Sequence, residues 1–381
     1  MLAEKNMENV KKALVCDWLD VYSGAERCIE QFNKLYDFDI FSLVDFMDED
    51  TRKIVLGGKF ASTTFIQKLP LAKKHFRNYL PLFSRAIESI DLRGYDLVLS
   101  SSHCVAKNVL TDCSQLHISY MYSPTRYAWD MSFLYMDSKS AFLRPLIFEI
   151  LHRFRLWDGS CANRSDKIIA ISHFIANRIK KVYGRESAVI YPPVDTTAFK
   201  LQSRKDDYFI TCGRLVDYKR TDLIVRAFNE NGLKLVVVGD GEQMNELKAI
   251  AKPNIELLGK VSKGELVRLL GGARAFVYAG VEDFGIAAIE ALSCGTPVIA
   301  YDKGGVAESV KGSLNAGFGE CGLLFSSQSE ASLNEAVKGS FNACFEPEKL
   351  NNYAQTFSNE NFRTNIKNYL NKEYEIFKQT H

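Results

Sequence analysis

Residues 280–305 read GVEDFGIAAIEALSCGTPVIAYDKGG, and this stretch decides the fold. AFVYAG before it is an apolar strand ending in small residues. The spacing then predicts a helix over Phe284–Leu292, opened by Glu282 and Asp283 and closed near Gly295, with Pro297 barring continuation. VIAY is a second short buried strand, and residues 302–305 form a glycine turn. Glu290 follows Glu282 by eight positions. On a helix advancing about 100° per residue the two carboxylates fall within about a quarter turn of each other. The leading amides of Phe284, Gly285 and Ile286 would form an anion site. Carboxylates for hydroxyls and amides for phosphate suit a sugar nucleotide. A plain βαβ unit with two solvated glutamates accounts for Glu-x7-Glu taken alone.

Strands alternate with helices along the 381 residues, which is the pattern of parallel α/β sheets, and the length suits two domains. A composition 46% apolar and 25% charged fits a globular enzyme rather than a disordered chain. A net charge of +2 gives no reason to expect a nucleic-acid partner. Nine dispersed cysteines without a CxxC pair read as reduced thiols in a cytoplasmic setting. The polar opening MLAEKNMENVKK does not resemble a secretory leader, and no run approaches the length of a membrane span. YPPVDTTAFKLQSRKDD breaks the periodicity as a hinge linker would. It separates a first domain, residues 1–195, from a second, residues 203–359. A final helix spans about residues 360–381.

Candidate site residues recur at strand ends. Ser23 and Gly24 open the helix after the first strand, where amides could approach a phosphate. His103 and Lys107 follow YDLVLS at the C-terminal end of a strand, where ligands bind in open sheets. Tyr122, Arg126, Tyr127 and Trp129 lie in an aromatic loop that could stack on a sugar acceptor or simply stiffen the chain. Arg214 and Lys219 flank a βα turn and can converge on a diphosphate. Gly239 and Gly241 invite a dinucleotide reading, but the third glycine position holds Met244. The run Lys68–Arg85 mixes apolar residues with Lys73, Lys74 and Arg77. It fits either a surface helix with a solvated basic face or an anionic membrane surface.

Four segments together resemble the retaining glycosyltransferases of family 4, in the branch of the bacterial mannosyltransferases. They are EDFGIAAIEALSCGTPVIA, GRLVDYKR, SSHCVAKN and YSPTRYAWD. The resemblance is strongest over residues 213–308 and poor over residues 45–91. It implies the GT-B fold, two Rossmann-like parallel-sheet domains facing a cleft, with the final helix crossing back to the first domain. It implies that Gly213, Arg214 and Lys219 hold the leaving diphosphate with the amides around Asp283. It further assigns Glu282 to donor-sugar hydroxyls, Glu290 to the ribose and His103 to the sugar, with Lys107 nearby. Backbone at Gly259, Lys260 and Val261 would hold the base. Asn108 stands where the resemblance leads one to expect glycine.

The implied reaction is metal-independent transfer of a hexose, with retention, to a glycan hydroxyl. The donor is a substrate, and no cofactor is expected. GDP-mannose and a lipid-linked acceptor for surface polysaccharide are the first expectation, at the cytoplasmic face of the membrane. A UDP-sugar-dependent transferase, a GT-B epimerase and a non-catalytic nucleotide-sugar sensor are the alternatives.

Overall fold

The structure is a computed structural model and describes residues 7, 9–137, 140–313 and 320–380. Residues 1–6 and 8, in the polar opening read against a leader, lie outside the described residues. The chain divides into two compact units. One comprises Met1–Tyr191 with Phe362–His381, the other Pro192–Asn361.

The first unit is built on a parallel sheet. Its strands are Lys12–Cys16 (β1), Asp39–Ser42 (β2), Ser62–Thr63 (β3), Leu97–Ser102 (β4), Leu116–Met121 (β5), Lys167–Ala170 (β6) and Ala188–Val189 (β7). Their order is β3-β2-β1-β4-β5-β6-β7. Every residue of β1, β4 and β5 is buried, as expected of strands covered by helices on both faces. The chain winds outward from β1 through β2 and β3, then returns to β4, so the order reverses between β1 and β4. Loops diverge at such a point, and a crevice opens at the carboxyl ends of the strands.

The second unit repeats this plan. Its strands are Phe209–Cys212 (β8), Leu235–Val238 (β9), Ile255–Gly259 (β10), Ala275–Tyr278 (β11), Val298–Tyr301 (β12), Gly312–Ser313 (β13) and Gly322–Phe325 (β14). The order β10-β9-β8-β11-β12-β14-β13 reverses between β8 and β11. Leu223, Ile224 and Phe228 of the helix Thr221–Asn231 share one core with Leu235, Val277 and Ile299.

The last helix, Asn359–Thr380, docks on the first unit. Phe362 packs on Phe32 and Tyr120 with ring centroids 5.5 and 5.7 Å apart. Tyr36 donates its hydroxyl to Asn371 at 2.6 Å, and Lys167 pairs with Glu373 at 3.0 Å.

His117 in β5 is fully buried, with Nε2 2.9 Å from the Ser100 hydroxyl and Nδ1 3.2 Å from the Arg164 carbonyl. Burial drives its pKa down to about 4. The folded chain therefore excludes a proton that the unfolded chain takes up below about pH 6.5. Stability is full above that value and falls as pH drops towards 4, by about 3 kcal/mol in total at 1.36 kcal/mol per unit. We expect unfolding midpoints to fall between pH 6.5 and 4 more steeply for the wild type than for His117→Gln. Equal slopes would remove His117 as the cause.

Candidate functional site

At the reversal point of the first sheet one carboxylate organises the loop. Asp17, just after β1, is buried, and each of its oxygens accepts two backbone N–H groups. Oδ2 accepts from His103 at 2.6 Å and Cys104 at 2.9 Å. Oδ1 accepts from Val105 at 2.6 Å and Ala106 at 2.7 Å. Four convergent donors satisfy a buried carboxylate and fix the turn after β4. His103 also places Nδ1 3.1 Å from Asp17 Oδ2. The carboxylate only accepts, so the approach holds the ring beside a negative charge at the mouth of the turn. The imidazole stands edge-on to Trp18 at 4.4 Å and lies 6.1 Å from Tyr122. Its side chain is one-third exposed. Asp17 was passed over in the sequence, although an acid directly after a buried first strand is the signal that marks it.

Ser23 caps the helix Gly24–Leu35, donating its N–H and hydroxyl to the Glu26 carboxylate. Burial raises the Glu26 pKa, against a smaller downward pull from the Ser23 hydroxyl and then from its own backbone amide and His103. Ser23 is exposed and Gly24 half-buried, so both remain at the surface of the turn.

Lys107 and three of the aromatic-loop residues are held by bonds within the first unit. Lys107 turns inward, its Nζ 2.7 Å from Asp158 Oδ1 and bonded to the Cys104 carbonyl. Asp158 also accepts from Asn108 at 3.0 Å, Trp129 Nε1 at 2.8 Å and the Tyr183 hydroxyl at 2.7 Å. Burial opposes the charge of Asp158, but Lys107 and these donors outweigh it and hold the pKa below the usual carboxylate value. Lys107 and Trp129 thus serve a buried hub that ties the β4 turn to the following loop and helices. Asn108, unexpected in the sequence, belongs to the same hub. Tyr122 bonds Ser101 and the Ala25 carbonyl, and the Tyr127 hydroxyl lies 3.1 Å from Cys104 Sγ. These hydroxyls stiffen the chain. Arg126 is half-buried in the same loop.

The second reversal point gathers charge. Lys219 ends the short 3-10 turn Asp217–Lys219 and pairs with Glu282 at 2.8 Å, both side chains largely sheltered. Burial disfavours the ammonium, yet Glu282 outweighs it and the Lys219 pKa lies above the ordinary value. Gly280 allows the approach, since a Cβ there would stand 2.7 Å from the Lys219 Cα. Cys212, the last residue of β8, senses the cluster. After burial, Glu290 is the largest influence raising its thiol pKa, and Lys219 pulls it back. Arg214 is 72% exposed and lies 3.8 Å from Glu242.

The helix after β11 runs Ile286–Ser293, shorter than expected, with Gly285 as its left-handed N-cap. Glu282, Asp283 and Phe284 precede it in a loop. The helical-wheel relation between Glu282 and Glu290 therefore does not hold. The leading amides are those of Ile286 and Ala287, so the N-terminus lies two residues later than expected. Two forces shift the start. Phe284 is buried against Phe357 at 5.5 Å, and the glycine turn presses on the loop. A Cβ on Gly305 would stand 2.1 Å from the Asp283 carbonyl, and the Gly305 N–H donates to the Glu282 carbonyl at 2.6 Å. Glu290 lies on the helix and is buried.

Gly239 answers the dinucleotide question. It has φ +135°, and a Cβ would meet the Gly213 carbonyl at 1.8 Å. The glycine serves close packing of two strand ends, as Gly241 does against Leu215. Gly259 ends β10 and accepts the Gly239 N–H at 2.8 Å, Lys260 is exposed, and Val261 is half-buried.

Residues 194–357 match the family model of the glycosyl transferases group 1. The Lys219–Glu282 pair, Glu290 and the helix Ile286–Ser293 all lie inside this group 1 domain. The chain is 26% identical over 182 residues to the O-antigen chain mannosyltransferase RfbU of Salmonella typhimurium, covering 45% of this chain and 49% of that protein. It is 28% identical over 177 residues to a GDP-mannose-dependent monoacylated alpha-(1-6)-phosphatidylinositol monomannoside mannosyltransferase of Corynebacterium glutamicum, covering 38% and 46%. The chain spans about half the length of the curated relatives it matches. Among solved structures, Anabaena HepE in complex with UDP and glucose superposes with a TM-score of 0.66 at 16% identity, over 95% of this chain and 100% of that one. That likeness concerns the fold, which is GT-B.

Proposed function

We propose that this protein is a retaining glycosyltransferase of family 4. It transfers mannose from GDP-mannose to a hydroxyl of a lipid-linked glycan in surface polysaccharide synthesis. The observation that carries this reading is the sheltered Lys219–Glu282 pair at the reversal point of a group 1 domain. Breaking the glycosidic bond leaves charge on a diphosphate, which needs preorganised donors. Lys219, held as the ammonium, supplies one, and exposed Arg214 supplies a planar fork. The amides of Ile286 and Ala287 add a helix N-terminus. When Lys219 turns to the diphosphate, the Glu282 carboxylate becomes available to sugar hydroxyls. Glu290 takes the ribose, and His103 steadies the oxocarbenium-like transition state. The leaving phosphate deprotonates the acceptor, so the reaction draws on no protein nucleophile and no metal ion. The mannose assignment is supported by the names of the two relatives, both mannosyltransferases.

A thermal-shift panel of GDP-mannose, GDP, UDP-glucose and UDP tests the donor. A ligand that binds only the folded state at a hundred times its Kd stabilises it by about 2.7 kcal/mol. Stabilisation by the GDP compounds alone is expected. Stabilisation by the UDP compounds alone would replace the donor and keep the diphosphate site. Silence from all four would remove both the GDP and the UDP donors tested and turn the search to other nucleotide sugars.

A further inference from the structure

The run Tyr191–Asp207 reads as a linker, yet its second half is fastened to the second unit. Gln202 donates its N–H to the Cys294 carbonyl at 3.1 Å, and Asp206 donates its own to the Gly272 carbonyl at 2.7 Å. A Cβ on Gly271 would stand 2.3 Å from the Gln202 side chain. Between these two anchors Lys205 turns inward. Its Nζ lies 2.8 Å from the Gly271 carbonyl, 3.2 Å from the Cys294 carbonyl and 2.8 Å from the Thr296 hydroxyl. Thr296 is fully buried and donates that hydroxyl to the Leu270 carbonyl at 2.6 Å, so towards Lys205 it accepts. Three ammonium hydrogens therefore meet three acceptors.

These acceptors mark the ends of two helices. Leu270 and Gly271 lie in the last turn of the helix Lys263–Gly272, and Cys294 caps the helix Ile286–Ser293. One ammonium thus bridges two helix C-termini, where carbonyls lack helical partners and the dipole favours a cation. The first helix follows β10 and the second follows β11, both strands of one parallel sheet. The N-termini of both helices therefore lie at the carboxyl edge of the sheet, and Lys205 holds them from the opposite edge.

The position is costly for a charge. Among the described residues no carboxylate pairs with Lys205, and the adjacent Asp207 pairs with Arg274 at 3.1 Å. Burial pushes the pKa of Lys205 down to about 8, against an opposite pull from the Cys294 thiol. The unfolded amine keeps its proton up to about pH 10.5. Below pH 8 folding carries the full cost of burying the charge, and that cost fades as pH rises from 8 to 10.5. Methionine has nearly the same length and would pack there without it. A charge retained against folding has its use elsewhere.

We infer that Lys205 is a positioning residue for the donor. It holds the helices Lys263–Gly272 and Ile286–Ser293 at one spacing, so that the loops before them meet a single nucleotide together. The inference rests on the donor reading, which places the diphosphate at the amides of Ile286 and Ala287 and the base at the backbone of Gly259, Lys260 and Val261. Loops already set at the right distance avoid the entropy loss of being ordered on contact.

Calorimetric titration of the full chain with GDP and with UDP, beside thermal unfolding, tests it. Lys205→Met should bind whichever nucleotide the wild type binds about tenfold more weakly. Its unfolding midpoint should stay level or rise, because the buried charge is gone. Thr296→Ser keeps the bridging hydroxyl and should bind as the wild type does. Thr296→Val removes it and should weaken binding in the same direction as Lys205→Met. Equal affinity in the wild type and Lys205→Met would overturn the inference. So would a Lys205→Met whose midpoint falls along with its affinity, since Lys205 would then be an ordinary structural prop. If the wild type binds neither nucleotide, both donors fail and the inference falls with them.

Discussion

Lys219→Ala should lose about a hundredfold to a thousandfold of the transfer rate, the range seen when one donor to a developing oxyanion is removed. The protein should stay folded. Lys219 and Glu282 retain 16% and 21% exposure, so the remaining partner keeps some access to water. Breaking the pair should cost about 1 kcal/mol or somewhat more, between the exposed and the buried limits for ion pairs. Arg214→Ala should leave stability within about 0.5 kcal/mol, as surface substitutions do, and lower the rate less steeply. Glu282→Gln separates the two roles within the pair. It keeps the shape and removes the carboxylate, so the diphosphate contact survives while the hold on the sugar weakens. Steady-state transfer rates and unfolding midpoints for the three variants check this. Full activity in both Lys219→Ala and Arg214→Ala would show that neither cation serves a leaving diphosphate.

The fold was legible in the sequence because parallel strands buried on both faces announce themselves as short apolar runs, such as LVVV and VIAY. Lys219 and Glu282 were singled out for a related reason, and the structure brings them together at 2.8 Å. Each follows such a run in a turn at a strand end, where ligands bind in open sheets. What the sequence hid were relations across the sheet. The helical period places Glu282 above Glu290 only if the helix begins before Glu282, and nothing local reveals that Phe284 leaves the helical path to meet Phe357. Lys107 read as a site cation because its partner, Asp158, lies 51 residues away. The aromatic loop stayed open between a sugar contact and a stiff chain for a similar reason. Tyr122, Tyr127 and Trp129 carry the polar handles that a sugar site would use, and the fold spends those handles on Ser101, Cys104 and Asp158.

Asp17→Ala should be the most damaging single change to the first unit. It removes the common acceptor of four buried or half-buried N–H groups, each at 2.6 to 2.9 Å. An unsatisfied buried donor costs about 1 to 3 kcal/mol. With some relaxation and water entry, a total of about 3 to 5 kcal/mol is expected, enough to threaten a domain of ordinary stability. Asp17→Asn is the milder probe. Its amide oxygen can still accept, but its NH2 is turned on groups that only donate, and because both His103 contacts use Oδ2 they are kept or lost together. His103→Ala is the control, since its side chain is one-third exposed and its loss should barely move the unfolding midpoint. The two roles of Asp17 then separate in a double-mutant cycle. If the carboxylate acts through the imidazole it orients, Asp17→Asn in a His103→Ala background should cost little further transfer activity, although it still lowers the midpoint. Losses that multiply instead would leave Asp17 a clamp on the β4 turn and take it out of the function of the histidine.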